Sequence, residues 1–242
     1  MALSLRGSAT GHGESAAAVT VNLPGGTTTD DVVIVGWSVE STSDLNLSLT
    51  TSGYTELADL YADDTDDTNL GVYRKIMGGT PDSTVVGPNV GNGSKAMVVH
   101  VWTGADTTTP EDATTTTATG IDTQYPDPAS ITTATDNAVV VVVAGNPSQD
   151  DTVTAPSGYT NSIAVASTTG GADCSAYMAS KAVASAGAEN PGAWGAMGGA
   201  DATWCWAAAT VAIRPAAAAA APDFGWFTPL TIAPSGMAMI GY

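Results

Sequence analysis

Positive charge is nearly missing from this chain. Its 242 residues include six Lys or Arg against 24 Asp or Glu, a formal net charge of −18. The six cations, Arg6, Arg74, Lys75, Lys95, Lys181 and Arg214, form no cluster. A nucleic-acid surface needs grouped cations to displace counterions, and an anionic membrane surface repels an acidic chain. Neither partner is expected. The acidity reads as solubility and colloidal repulsion, which suits a particle displaying many copies or salty surroundings. Charged residues of both signs total 12 %, about half the usual share. Cysteine is limited to Cys174 and Cys205, with no CxxC spacing, so zinc is not expected. A disulfide between the two and a pair of buried free thiols both stay open, the second being the commoner arrangement. The first half of the chain lacks both, so the fold does not need them.

Other absences narrow the function. No apolar run approaches the ~20 residues of a membrane span; the longest, 138–145, has strand length. Residues 1–13 lack the apolar h-region of a signal peptide. The chain is therefore expected to be made in a cytoplasm and to leave it by lysis or within an assembled particle. His12 and His100 are the only histidines, and no Ser-His-Asp order, GxSxG or HExxH occurs. A glycosidase needs two placed carboxylates, and nothing marks a pair among the 24 acids. No cofactor and no enzymatic activity are expected.

What fills the chain is Thr, Ser, Gly, Ala and Val. Thr and Val favour pleated, half-buried surfaces, while helix formers other than Ala are scarce. The sequence also repeats itself. Asp30-Asp31-Val32-Val33-Ile34-Val35-Gly36-Trp37 matches Asp136-Asn137-Ala138-Val139-Val140-Val141-Val142-Val143. Ser52-Gly53-Tyr54-Thr55 returns as Ser157-Gly158-Tyr159-Thr160. The segment 70–76 is echoed by 175–181, and 96–102 by 208–214. The offset starts at 106, falls to 105 and grows in the last pair, as loop insertions between fixed strands produce. A repeat of this length exceeds any solenoid unit and fits two related halves of one β structure.

Strands are expected at 17–23, 32–39, 45–49, 55–61, 70–77, 84–90 and 96–102 in the first half. A Thr-rich crossover, 103–135, should hold at least one more. Further strands are expected at 138–144, 153–155, 159–167, 173–183, 192–197 and 203–213. About a dozen short strands at regular spacing, without helical period, point to an all-β, antiparallel, jelly-roll-like sandwich. The domain spans 1–215, with repeat units of about 15–105 and 120–215.

Residues 216–222 form an Ala/Pro linker, too short for a stable helix alone. Residues 223–242 hold both Phe of the chain and one charge. This tail is too apolar for water and too short to fold by itself. Its reading is a partner-binding anchor formed by Phe224, Trp226, Phe227, Leu230, Ile232, Met237, Met239 and Tyr242. Two weaker candidates remain. Asp63, Asp64, Asp66 and Asp67 are oxygen ligands of the kind calcium takes. Counted from Asp64, however, the positions needing Gly and Glu hold Asn69 and Lys75, so a solvated hairpin tip is expected. Trp194, Trp204 and Trp206 are candidates for stacking on sugars, with core packing the commoner use of Trp.

The repeated string itself resembles a known module. A strand ending in small apolar residues is followed by Pro/Ser-Gly-Tyr-Thr. An aromatic-Lys strand leads to Gly-x-x-Pro, and an Ala/Val-rich strand closes the unit. These elements fall at 52–55, 73–81 and 97–106, and again at 155–160, 177–191 and 203–215. The pattern is similar to a β-sandwich module of tailed-phage virion proteins. That resemblance implies the fold and a virion context, with head decoration, tail and fibre all open; the leading expectation is a capsid decoration protein on the virion surface, held by a terminal segment. The major capsid protein or another virion protein would be the partner, with a homo-oligomer such as a trimer. A carbohydrate-binding or host-adhesion module of a fibre is the alternative.

Overall fold

The structure is a computed structural model that describes residues 2–14, 17–64, 67–90, 93–121, 124–148, 152–169, 172–197 and 204–218. It is all-β, with no helix among the described residues and hence none able to cross a membrane. Seven strands form in the first half: β1 Ser4–Gly13, β2 Val19–Asn22, β3 Val32–Glu40, β4 Thr55–Ala62, β5 Thr68–Ile76, β6 Thr84–Gly87 and β7 Lys95–Thr103. Seven follow in the second: β8 Glu111–Gly120, β9 Ile131–Thr132, β10 Ala138–Asn146, β11 Thr160–Thr169, β12 Ala172–Val183, β13 Ala188–Glu189 and β14 Trp206–Ile213.

Each half builds one five-stranded antiparallel sheet and one two-stranded ribbon. The first sheet runs β1-β7-β3-β5-β4 and the second β8-β14-β10-β12-β11, with ribbons β2-β6 and β9-β13. Every strand of one half thus has its counterpart at the same place in the other. Two irregularities match as well, although β8 has a further shift between Ala113 and Thr116 that β1 lacks. The register shifts between Leu5 and Gly7 in β1 and between Glu111 and Ala113 along β8. It shifts again between Glu56 and Ala58 in β4 and between Thr160 and Ile163 in β11. Bulges twist and blunt the edge strands that carry them. β1, which the repeat read from sequence omitted, is therefore part of the unit.

The two sheets pack face to face. Val32, Ile34, Val72 and Val98 meet Val139, Val141, Met178 and Ala209 in a shared middle core. Each sheet buries its other face under its own ribbon and loops. Val33, Val35, Trp37 and Tyr73 pack beneath Val19, Val21, Val85 and Leu47. Val140, Val142 and Tyr177 pack beneath Ile131, Val153 and Trp194. β3 and β10 are consequently buried on both faces, which is why they read as unbroken apolar runs rather than alternating ones.

This double burial corrects the sequence alignment. Val33 pairs with Lys75, and Val140 pairs with Lys181. With the lysines matched, Val33 corresponds to Val140, an offset of 107 rather than 106. The left-handed residues agree, since Asp30 (φ 68°) corresponds to Asn137 (φ 61°). By the same ladders, β5 matches β12 at an offset of 106, and Trp102 matches Ile213 at 111. Only the Ser-Gly-Tyr-Thr turn keeps its sequence offset, with Gly53 (φ 83°) equivalent to Gly158 (φ 81°). A one-residue slip turns every side chain to the opposite face.

Three expected strands are irregular. Residues 45–49, 153–155 and 192–197 carry no strand, yet Leu47, Val153, Trp194 and Met197 are buried. They cover the ribbons' flanks. Trp194 and Gly195 are held by single backbone bonds to Pro126 and Thr154 instead of a ladder. Cys174 and Cys205 are buried and not joined in a disulfide; burial pushes both thiols up to about 12, so neither is a thiolate near neutrality.

Candidate functional site

β3 and β10 start at the same end of the sandwich, and there the chain enters, crosses between halves and leaves. Gly104 closes β7 with φ 82°, and a side chain at this position would run into the carbonyl of Ala2. Ala105 then bridges Pro215. The Asp106 amide donates to the Arg214 carbonyl at 2.9 Å, the Arg214 amide to Pro110 at 2.8 Å, and the Ala216 amide to Gly104 at 2.8 Å. The start of the chain, the crossover and the exit strand are therefore tied into one knot of backbone.

The knot borders a cleft of about 780 Å³, whose walls include Asp106, Thr135, Asn137, Arg214 and Ala216 to Ala218. The first residues after β14 thus lie in the cleft wall. Arg214 also borders a smaller hollow of about 440 Å³ with Leu57 of β4 and Ala113 of β8. Its guanidinium approaches Asp112 at 3.3 Å and Thr109 Oγ1 at 3.3 Å. Asp112 sits at the β8 bulge and is fully committed. It accepts from the Ala134 amide at 2.6 Å, the Thr135 amide at 3.0 Å and the Thr135 hydroxyl at 2.6 Å. Asp106 accepts from the amides of Thr109 and Thr108, and these bonds hold its carboxyl below the ordinary range. Asp106 and Asp112 thus each accept several hydrogen bonds that fix the loops of this end.

Charge elsewhere follows the same rule. All six cations lie in described residues, with ion pairs of Arg6 to Asp31, Arg74 to Glu111, Lys75 to Asp82, Lys181 to Glu189 and Arg214 to Asp112. The sixth, Lys95, is buried and donates to the Gly93 carbonyl at 2.9 Å. The acids left over give the molecule an anionic exterior. The Ser-Gly-Tyr-Thr turns also flank the exit end, each working as a lock. Lys75 lies 5.2 Å from the Tyr54 ring centre and 2.6 Å from Asp82. Lys181 lies 5.8 Å from the Tyr159 ring centre and 2.7 Å from Glu189. The repeated motif is thereby structural.

The sequence-derived candidates are dispersed. Phe224, Trp226, Phe227, Leu230, Ile232, Met237, Met239 and Tyr242 lie outside the described residues, as does Asp66. Asp67 is buried and accepts from the Tyr61 hydroxyl and the Asp64 amide, both at 2.7 Å, so it closes the β4–β5 hairpin. Among the described residues no three His, Cys, Asp or Glu side chains are grouped to hold a metal ion. Trp194 and Trp206 are buried at 2 % and 6 % exposure, whereas stacking on a sugar needs an open ring face. Trp204 is half-buried and precedes the far end of β14, where Trp206 pairs with Gly120; Ile121 and Tyr125 are exposed.

Sequence reasoning passed over Arg214, Asp112 and Gly104. With so few cations in the chain, Arg214 beside Pro215 was the available signal. Asp112 gave none, because a bulge in a Thr-rich edge strand leaves no pattern in sequence. Comparison of the chain with protein-family models, with curated proteins and with solved structures finds no match.

Proposed function

We propose that this protein is a non-enzymatic structural component of a virion. In this reading the acidic sandwich faces solvent as a capsid decoration, and the C-terminal apolar segment grips the major capsid protein or another shell protein. One observation carries the reading. Both seven-strand units are complete by Ile213, and the chain then leaves along the cleft at the exit end, with 24 residues after Ala218 that include Phe224, Trp226 and Phe227. A segment that follows a finished fold is free for a separate task. Burying Phe224, Trp226, Phe227, Leu230 and Ile232 on a partner contributes about 1.5–3 kcal/mol each before ordering costs. Binding to assembled shell but not to free subunits then favours the shell by mass action. The anionic exterior, with its cations paired, resists nonspecific attachment to nucleic acid.

Truncation after Ala218 tests the proposal, because it retains the Ala216–Gly104 tie. The shortened protein should keep its unfolding midpoint and lose binding to particles in a sedimentation assay. Saturation of particles by the truncated protein would refute anchoring by this segment. A second reading, glycan adhesion, draws on exposed Tyr125 and on half-buried Trp204 as separate aromatic faces. It predicts glycan-array binding that is lost in Trp204→Ala and retained after truncation.

A further inference from the structure

We infer that the two halves are a fused pair of binding partners: the inner face of each is a recognition surface for the other half, and not for a copy of itself. This goes beyond the virion reading and does not depend on it.

The sheets pack reciprocally. β1 lies on β11 as β8 lies on β4, and β7 lies on β12 as β14 lies on β5. That is the pattern of a two-fold, isologous interface, here between halves of one chain. The pseudo-axis runs between β3 and β10, where equivalent residues touch each other. Gly36 faces its own counterpart Val143, and a Cβ at Gly36 would overlap the Val143 methyl. Two residues on, Gly145 faces its counterpart Ser38, and a Cβ at Gly145 would overlap the Ser38 hydroxyl. On a true two-fold axis each position meets its own kind. Two second halves would press Val143 on Val143, and two first halves would leave Gly36 opposite Gly36. Only the mixed pair seats a large residue against a small one at both levels, which is specificity by clash as well as by fit.

The polar contacts across the interface are one-sided in the same way. Arg74 Nε meets Glu111 Oε1 at 2.7 Å, while the counterparts of these residues are Ser180 and Leu5. His100 Nε2 lies 3.0 Å from the Asn161 carbonyl, and the counterpart of His100 is Val211. The Ser167 hydroxyl donates to the Gly13 carbonyl at 3.1 Å. A like-with-like pair would form none of these as a set. Ala105 and Asp106, on the first-half side of the crossover, also bond Pro215 and Arg214, while Thr107, Thr108 and Thr109 beyond them are exposed.

The test uses the full chain with a protease recognition sequence inserted between Thr107 and Thr108, folded and then cut. Native mass spectrometry at micromolar concentration should find one fragment 1–107 with one fragment 108–242, and no like-with-like pairs. Gly36→Val in the cut protein should raise the dissociation constant by about tenfold or more. The exchange Gly36→Val with Val143→Gly should restore most of it. Fragments that part on cutting, like-with-like pairs in comparable yield, or an exchange variant no tighter than Gly36→Val alone would each overturn the inference.

Discussion

The two halves of this molecule keep the same strands and turns and share two bulges, yet fill them with different side chains. In the first half the outer core is closed by Trp37, which lies directly against Gly87 of β6, and by Tyr73, whose hydroxyl donates to the Leu47 carbonyl. In the second half the place of Trp37 is taken by Ala144. The volume comes instead from Trp194 on a loop and Tyr177 on β12, with rings 5.8 Å apart. The polar clamps differ likewise. In β1 the bulged residue is Arg6, which forms a two-pronged pair with Asp31 at 2.6 and 2.9 Å. Asp31 in turn accepts from the Thr28 amide. In β8 the bulged residue is Asp112, which binds the amide of Thr135, the counterpart of Thr28, directly. The carboxylate has moved from one strand to another while holding the same loop. Topology is thus fixed by features that tolerate little change, such as a left-handed glycine or a bulge. Packing is free to diverge as long as volumes compensate.

Four sets of substitutions sharpen or break this comparison. The largest effect belongs to the aromatic fillers. Trp37→Ala and Trp194→Ala should each cost about 3–5 kcal/mol by urea unfolding. Because the halves share the middle core, each variant should still unfold in one transition. Two separated transitions would mean that the halves are energetically independent.

Next come the axis residues. Gly36→Val should cost about 1–3 kcal/mol from overpacking, and Val143→Gly a comparable amount from the void it leaves. The double exchange should cost clearly less than the sum of the two, as contacting residues do. Simple additivity would show that the two positions do not touch.

His100 distinguishes the halves by acid. Burial lowers its pKa to about 4, from about 6.5 in an unfolded chain. Above pH ~6.5 neither state is protonated and the histidine adds no pH dependence. As pH falls from ~6.5 toward ~4 the unfolded state takes up a proton that the folded state refuses, and stability drops by about 3 kcal/mol. His100→Val copies the residue of the other half, Val211, and should flatten the stability curve in that window. An unchanged acid slope would place the titrating group elsewhere.

The smallest effect separates the two locks. The Tyr159 hydroxyl reaches Glu189 at 3.4 Å, while the Tyr54 hydroxyl is buried without a partner. Tyr159→Phe should therefore cost about 0.5–1 kcal/mol. Tyr54→Phe should be neutral or slightly stabilising, by thermal melts of both variants side by side.

Much of this architecture was legible in residue order. β-branched runs bounded by Gly, Pro and Asp placed most of the strands, and the doubled Ser-Gly-Tyr-Thr turn revealed two units. β1 was missed because SLRGSATGHG contains no run of large apolar residues; its partner β7 makes it a strand. Leu45, Leu47 and Leu49 alternate as a strand would, but no ladder partner accepts them. The Asn69 side chain pins Leu45 and Ser43 instead. Arg214 and Asp112 become neighbours only through β8–β14 pairing.

Sequence alone determined the antiparallel β class, the duplication, the acidity and the turns, because each rests on local chemistry that neighbours along the chain supply. Tertiary structure decided the register between units, the facing of each side chain and the meeting of Gly36 with Val143. Val139 to Val143 are five valines in a row, apolar on both faces because β10 is covered on both. Such a run has no period, so a shift of one residue leaves its pattern unchanged. The backbone ladder and the packing of two sheets distinguish one register from the other.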